Sequence, residues 1–312
     1  MRALSPSLRV DFQDVHIGNA TTTYMPPADT AQQPITYNHR GQVNVDIVMD
    51  YVKEQFPSPE KVLVTGCSAG AIAAGIHGAA LSEYYARTSP TTQITVIADA
   101  FAMMATDFFI RERIVNWGRE VCTLLDLMYQ GGGAWGGVED YGLQIWRGVQ
   151  GIVSSNGGLT AFVSSFEDKV QRKYYKLMAA FDDESAFEWE IGLRILDRLS
   201  AVDTGFVFSG KEHCQTSLSL AMNKAENKDY PAFMKFLTSL FSDDEPIPPP
   251  VSCPLCTSEE TTGCNKVIGS NALMDNCAVC NEDITRSTCA VNYTPPTWVE
   301  GICPTNSRFG HV

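Results

Sequence analysis

Apolar residues recur at helical spacing between residues 43 and 56. In VNVDIVMDYVKEQF, Val45, Val48, Met49 and Val52 fall on one side of a helix. Pro57 and Pro59 mark its end, because proline cannot continue a helix. The pattern then changes. KVLVTG (61–66) is a short apolar run without polar alternation between Val62 and Val64, which predicts a strand buried on both faces, as in a parallel sheet. AIAAGIHGAALSEYYART (71–88) predicts a helix that packs closely through alanine and glycine, and QITVIADA (93–100) predicts a second buried strand. Strand, helix and strand in this order define a βαβ unit.

From 101 to 241 the pattern reads as mostly helical. The exceptions are a glycine-rich segment, YQGGGAWGGVEDYG (129–142), and a short apolar stretch, GFVFSG (205–210). SDDEPIPPP opens an acidic, proline-rich linker at 242–252, since consecutive prolines prefer an extended form. Residues 253–312 form a cysteine-rich tail with few large apolar residues. The expected organisation is therefore a main α/β domain over 1–241, a linker and a tail.

The 312 residues are 44% hydrophobic and only 19% charged, which suits a large packed core and excludes extensive disorder. A net charge of −13 argues against nucleic acid or an acidic membrane surface as partner. No apolar stretch reaches the roughly 18 residues of a membrane helix. Ten cysteines and two glycosylation triplets, at Asn19 and Asn292, point to an oxidising, secreted setting. The opening MRALSPSLRV has no apolar core of a signal peptide, so secretion would need a longer N-terminus.

The chemistry centres on Gly66-Cys67-Ser68-Ala69-Gly70. A Gly-x-Ser-x-Gly between a buried strand and a helix places the serine on a sharp turn. Gly66 and Gly70 avoid clashes there, the helix dipole faces the site, and the Ala69 backbone N–H can serve as an oxyanion donor. Alone, the pentapeptide also fits an ordinary βα turn with a small polar residue. A serine nucleophile needs a base held by a carboxylate. Of the five histidines, His77 sits within the helix that follows the serine, and His16, His39 and His311 lie in loose or turn-rich segments. His213 follows a late apolar stretch, as a base should. The acid then lies between 100 and 213, with Asp182 and Asp183 as candidates.

YNHRGQVNVDIVMDYV, VLVTGCSAGAIAAG, ITVIADA, AAFDDESAFEWEIG and FSGKEHCQT, preceded by DVHIGN, occur in that order. In these elements the chain resembles the pectin acetylesterase family, which includes Notum, over roughly residues 10–215. The resemblance implies an α/β-hydrolase-like fold with a mainly parallel sheet flanked by helices. It implies ester hydrolysis without a cofactor, by Ser68 as nucleophile, His213 as base and Asp182 as acid, with Asp183 the alternative. The implied substrate is an O-acylated, chiefly O-acetylated, polysaccharide such as pectin, and the implied location is extracellular or in the cell wall. Two rival readings are a Notum-like deacylase of acylated protein and a non-catalytic binding protein on a decayed scaffold. Retention of Ser, Asp and His candidates favours an enzyme.

The chain departs from the family in two places. Ala71 stands where a second glycine is usual, and no Gly-Gly-Gly-Trp-like loop precedes Ser68 to supply further oxyanion donors. The chain is therefore expected to begin inside the family's domain. GGGAW (131–135) resembles that loop but follows the serine, and it is read as a loop near the pocket. In the tail, Cys253, Cys256, Cys277 and Cys280 have near zinc-ribbon spacing. The family's secreted character favours disulfides over zinc there. Cys67 and Cys214 adjoin Ser68 and His213. They are read as buried free thiols, with a disulfide between them as the alternative.

Overall fold

The structure, a computed structural model, describes residues 16–24, 33–101, 117, 141–179, 195, 199–208, 210–216, 229–242, 246–249, 273–274 and 280–281. Its centre is a four-stranded, wholly parallel sheet in the order β3-β4-β5-β6, formed by Lys61–Cys67, Gln93–Asp99, Leu159–Ser165 and Thr204–Phe208. Before it lie an antiparallel hairpin, β1 (Thr21–Tyr24) with β2 (Ile35–Asn38), and helix α1 (Gly41–Gln55). A two-residue antiparallel pair, β7 (Leu273–Met274) with β8 (Cys280–Asn281), lies in the tail. The zinc reading of the tail falls largely outside the described residues.

Two apolar layers enclose the sheet. On one face lie α2 (Ala69–Thr88) and α3 (Tyr141–Ser155), whose Ile72, Ile76, Trp146 and Val149 join Val96 and Phe162 in the larger core. The helices approach closely because α2 is built from small residues. A Cβ on Gly75 would lie 2.9 Å from the indole ring of Trp146, so only glycine admits the tryptophan. On the opposite face, α5 (Tyr230–Phe241) sets Phe233, Phe236 and Leu240 against Ile97, Val163, Phe206 and Phe208. A further helix, α4 (Lys169–Ala179), follows β5. The chain is thus an α/β protein with a parallel sheet between helical layers. Among the described residues no helix is long and apolar enough to cross a membrane.

Val45, Val48, Met49 and Val52 form the half-buried side of α1, as their spacing predicts, while Ile47 and Tyr51 on the other side are exposed. Two expectations change. β3 alternates instead of being buried on both faces: Val62 and Val64 pack on the larger core, and Leu63 is 47% exposed. The reason is position, because β3 is an outer strand of the described sheet and the aromatic cluster of α5 does not include Leu63. The stretch read as mostly helical contains β5, every residue of which is buried or half-buried. Asp203, just before β6, locks that strand in place by accepting hydrogen bonds from Thr160 N (2.7 Å) and Oγ1 (2.9 Å) and from Gln150 Nε2 (3.0 Å).

Candidate active site

β3 ends at Cys67 and α2 begins at Ala69, so the chain reverses direction on Ser68 alone. Ser68 takes φ 57° and ψ −123°, backbone angles that cost a side-chain-bearing residue on the order of 1–3 kcal/mol. Such strain persists where surrounding structure imposes it. Here the Ser68 N–H donates to Asp99 O at 2.8 Å, and Ser68 O accepts from Ala71 N at 2.8 Å. Gly66 is required, since a Cβ there would overlap the Gly70 carbonyl, whereas a Cβ on Gly70 would meet open space. The sequence reading assigned both glycines to clash relief, and the geometry assigns that part to Gly66. Ser68 itself is half-buried at the carboxyl edge of the sheet. As the first residue of a helix, Ala69 has an N–H with no intrahelical acceptor, and the positive end of the α2 dipole adds to it.

His213 lies on the segment after β6, and three strands hold that segment from beneath. At the end of β5, Phe166 N donates to Phe208 O (3.0 Å) and Glu167 N to Gly210 O (3.0 Å), which turns the chain back over the sheet. Next, His213 Nδ1 meets both oxygens of Asp168, at 3.0 and 2.8 Å. Cys214, with φ 63°, forms a disulfide with Cys67 at the end of β3. Finally, Asp99 at the end of β4 accepts Gln215 N on Oδ1 (3.0 Å) and Thr216 N and Oγ1 on Oδ2 (2.6 Å each). Gln215 Nε2 also donates to Ser165 Oγ at 2.5 Å. The histidine is therefore carried by a strap at the sheet's carboxyl edge that is fastened to the ends of β5, β4 and β3.

Asp168 is the carboxylate on the imidazole, and the sequence reading did not find it. Asp182 and Asp183, the expected acids, lie outside the described residues; among the described residues the carboxylate on His213 Nδ1 is Asp168. Asp168 is fully buried and also caps α4: Oδ1 accepts Val170 N and Gln171 N at 2.9 Å, and Oδ2 accepts Gln171 Nε2 at 2.8 Å. Each of these is a donor, as the ionised acceptor requires. With the carboxylate on Nδ1, that nitrogen carries the proton and Nε2 keeps its lone pair. Nε2 is buried and has no hydrogen-bond partner among the described residues, Ser68 Oγ included.

Two of the other histidines, His77 and His39, fit structural positions. His77 is buried and its Nε2–H donates to His16 O at 3.1 Å; burial lowers its pKa, with that hydrogen bond and Asp46 acting in the opposite direction. His39 pairs with the Tyr24 hydroxyl at 3.0 Å. GGGAW at 131–135 and His311 lie outside the described residues.

The disulfide corrects the reading of Cys67 and Cys214 as free thiols. It closes a sequence separation of 147 residues, which restricts the unfolded chain strongly. Replacing both cysteines by serine is expected to lower unfolding free energy by about 2–5 kcal/mol. Denaturant titration checks this, and a midpoint equal to that of the unaltered protein would contradict it.

No protein-family model and no curated protein matches the chain at a significant level.

Proposed function

We propose that the chain is a serine carboxylesterase of the α/β-hydrolase kind, with Ser68, His213 and Asp168 as its triad. The observation that carries this reading is the strap: a histidine fixed to a buried carboxylate at Nδ1, and cross-linked through its neighbour Cys214 to the residue before a strained serine. The order of parts along the sheet supports it too, with the nucleophile after β3, the acid after β5 and the base after β6.

In the proposed reaction His213 Nε2 takes the Ser68 hydroxyl proton as Oγ attacks the ester carbonyl. Asp168 stabilises the imidazolium through Nδ1–H. The oxyanion of the tetrahedral intermediate is held by backbone N–H groups, including that of Ala69. Collapse breaks the ester C–O bond, and the departing alcohol takes the proton from Nε2. Water then attacks the acyl-serine by the same route and releases the carboxylic acid.

The resemblance to pectin acetylesterases supplies the substrate class, an O-acetylated polysaccharide. A disulfide beside the nucleophile is chemistry of an oxidising compartment and supports an extracellular location. The test is reaction with a fluorophosphonate, followed by peptide mass spectrometry, together with hydrolysis of a short-chain chromogenic ester. An adduct on Ser68 and turnover are the expected results. A folded protein that forms no adduct at Ser68 would sink the reading.

A further inference from the structure

We infer that Asp99 is a positioning residue of this site, one whose two ends set the serine and the histidine relative to each other. The inference rests on the esterase reading above. Asp99 closes the second strand of the sheet and is opposite Cys67 in the β3–β4 ladder. Its backbone carbonyl takes the Ser68 N–H, and so helps impose the strained angles of the nucleophile turn. Its carboxylate takes three donors from Gln215 and Thr216, the two residues after the disulfide-bonded Cys214. One residue thus grips the nucleophile by its main chain and the base-bearing strap by its side chain.

The choice of an acid here has a physical cost that a purely structural contact would not require. Asp99 is fully buried, and burying a carboxylate is unfavourable unless its oxygens are well satisfied. Burial accordingly raises its pKa, while the Thr216 and Gln215 hydrogen bonds and the proximity of His213 act to lower it. Three donors divided between two oxygens suit a carboxylate. Asparagine would offer one acceptor oxygen and set an NH2 against the remaining N–H groups. His213 then has two buried acids near it, Asp168 in direct contact and Asp99 through the strap. Among the described residues, the strap and the end of β5 also carry Glu212 and the Lys211–Glu167 pair, 3.5 Å apart. A negative charge on Asp99 favours the charged form of the imidazole, so its removal disfavours that form.

The experiment follows the rate of fluorophosphonate modification of Ser68 against pH in the full chain and in two variants, Asp99→Asn and Thr216→Val, with thermal unfolding measured in parallel. For Asp99→Asn the expected result is about a hundredfold slower modification, the scale of a small misplacement of reacting groups. The apparent pKa of its rate profile should also move downward. Thr216→Val removes only the hydroxyl donor and should slow the reaction several-fold. Should Asp99→Asn fail to fold, Thr216→Val decides the matter, and a wild-type rate there overturns the inference. A folded Asp99→Asn protein with the wild-type rate and profile overturns it as well. So does a rate loss that matches the loss of folded protein with the profile unmoved. If the unaltered protein itself gives no Ser68 adduct, the esterase reading fails first and this inference with it.

Discussion

Ser68→Ala will lower kcat/KM for an activated short-chain ester by about five to six decades, while folding stability stays level or rises. The kinetic loss follows from roles that nothing nearby can replace. Ala69 and Gly70 carry no hydroxyl, and the adjacent Cys67 sulfur is held in the disulfide. Removing the serine of a triad leaves only what the oxyanion donors and substrate binding supply, which is why the loss approaches that of removing the whole triad. The stability effect has a different origin. Ser68 sits at φ 57° whichever small side chain it carries, so alanine inherits the same backbone strain and gives up no side-chain hydrogen bond among the described residues. A variant with unchanged hydrolysis would assign the turn to structure alone. A variant that loses hydrolysis together with its fold would do the same, and circular dichroism alongside the kinetics separates these cases.

Local geometry was readable from the chain, and contacts assembled across distance were not. The turn at Ser68 is a matter of five residues, in which strand, glycine, serine and helix follow one another, and Gly66 has to be glycine for a reason visible in that short span. The buried side of α1 likewise follows from the spacing of Val45, Val48, Met49 and Val52 alone. β5 was missed because LTAFVSS is a short apolar run between helices, and a run of that length has no periodicity to separate strand from buried helix. Missing that strand hid the carboxylate beside His213, since Asp168 stands out only once a strand is seen to end at Ser165 and a helix to begin at Lys169. The exposure of Leu63 depends on which strand is outermost, and that is a property of sheet order rather than of KVLVTG. Asp99 was passed over because an acid at the end of ITVIAD gives no sign that its partners lie over a hundred residues away. The closeness of Cys67 and Cys214 could be anticipated from their neighbours Ser68 and His213, but whether their side chains meet is set by the strap.

Asp168→Asn will lower kcat/KM by about three to four decades, and the corresponding changes at Asp182 and Asp183 will each alter it by less than about threefold. Asparagine is nearly the same size and is itself a strong helix N-cap, so it can keep accepting from Val170 N and Gln171 N. The fold should therefore survive, which isolates the chemical effect. The imidazole responds in its protonation pattern. An amide NH2 turned towards Nδ1 favours the tautomer with Nδ1 as acceptor and the proton on Nε2, which cannot then take a proton from Ser68. An amide oxygen turned towards Nδ1 keeps the tautomer but no longer offsets the positive charge formed during attack. Either outcome weakens the base, and nitrogen chemical shifts of His213 distinguish them. Full activity in Asp168→Asn with loss in Asp182→Asn would return the acid to the segment that the sequence resemblance favoured, and would mean that the His213–Asp168 pair serves only to anchor the strap.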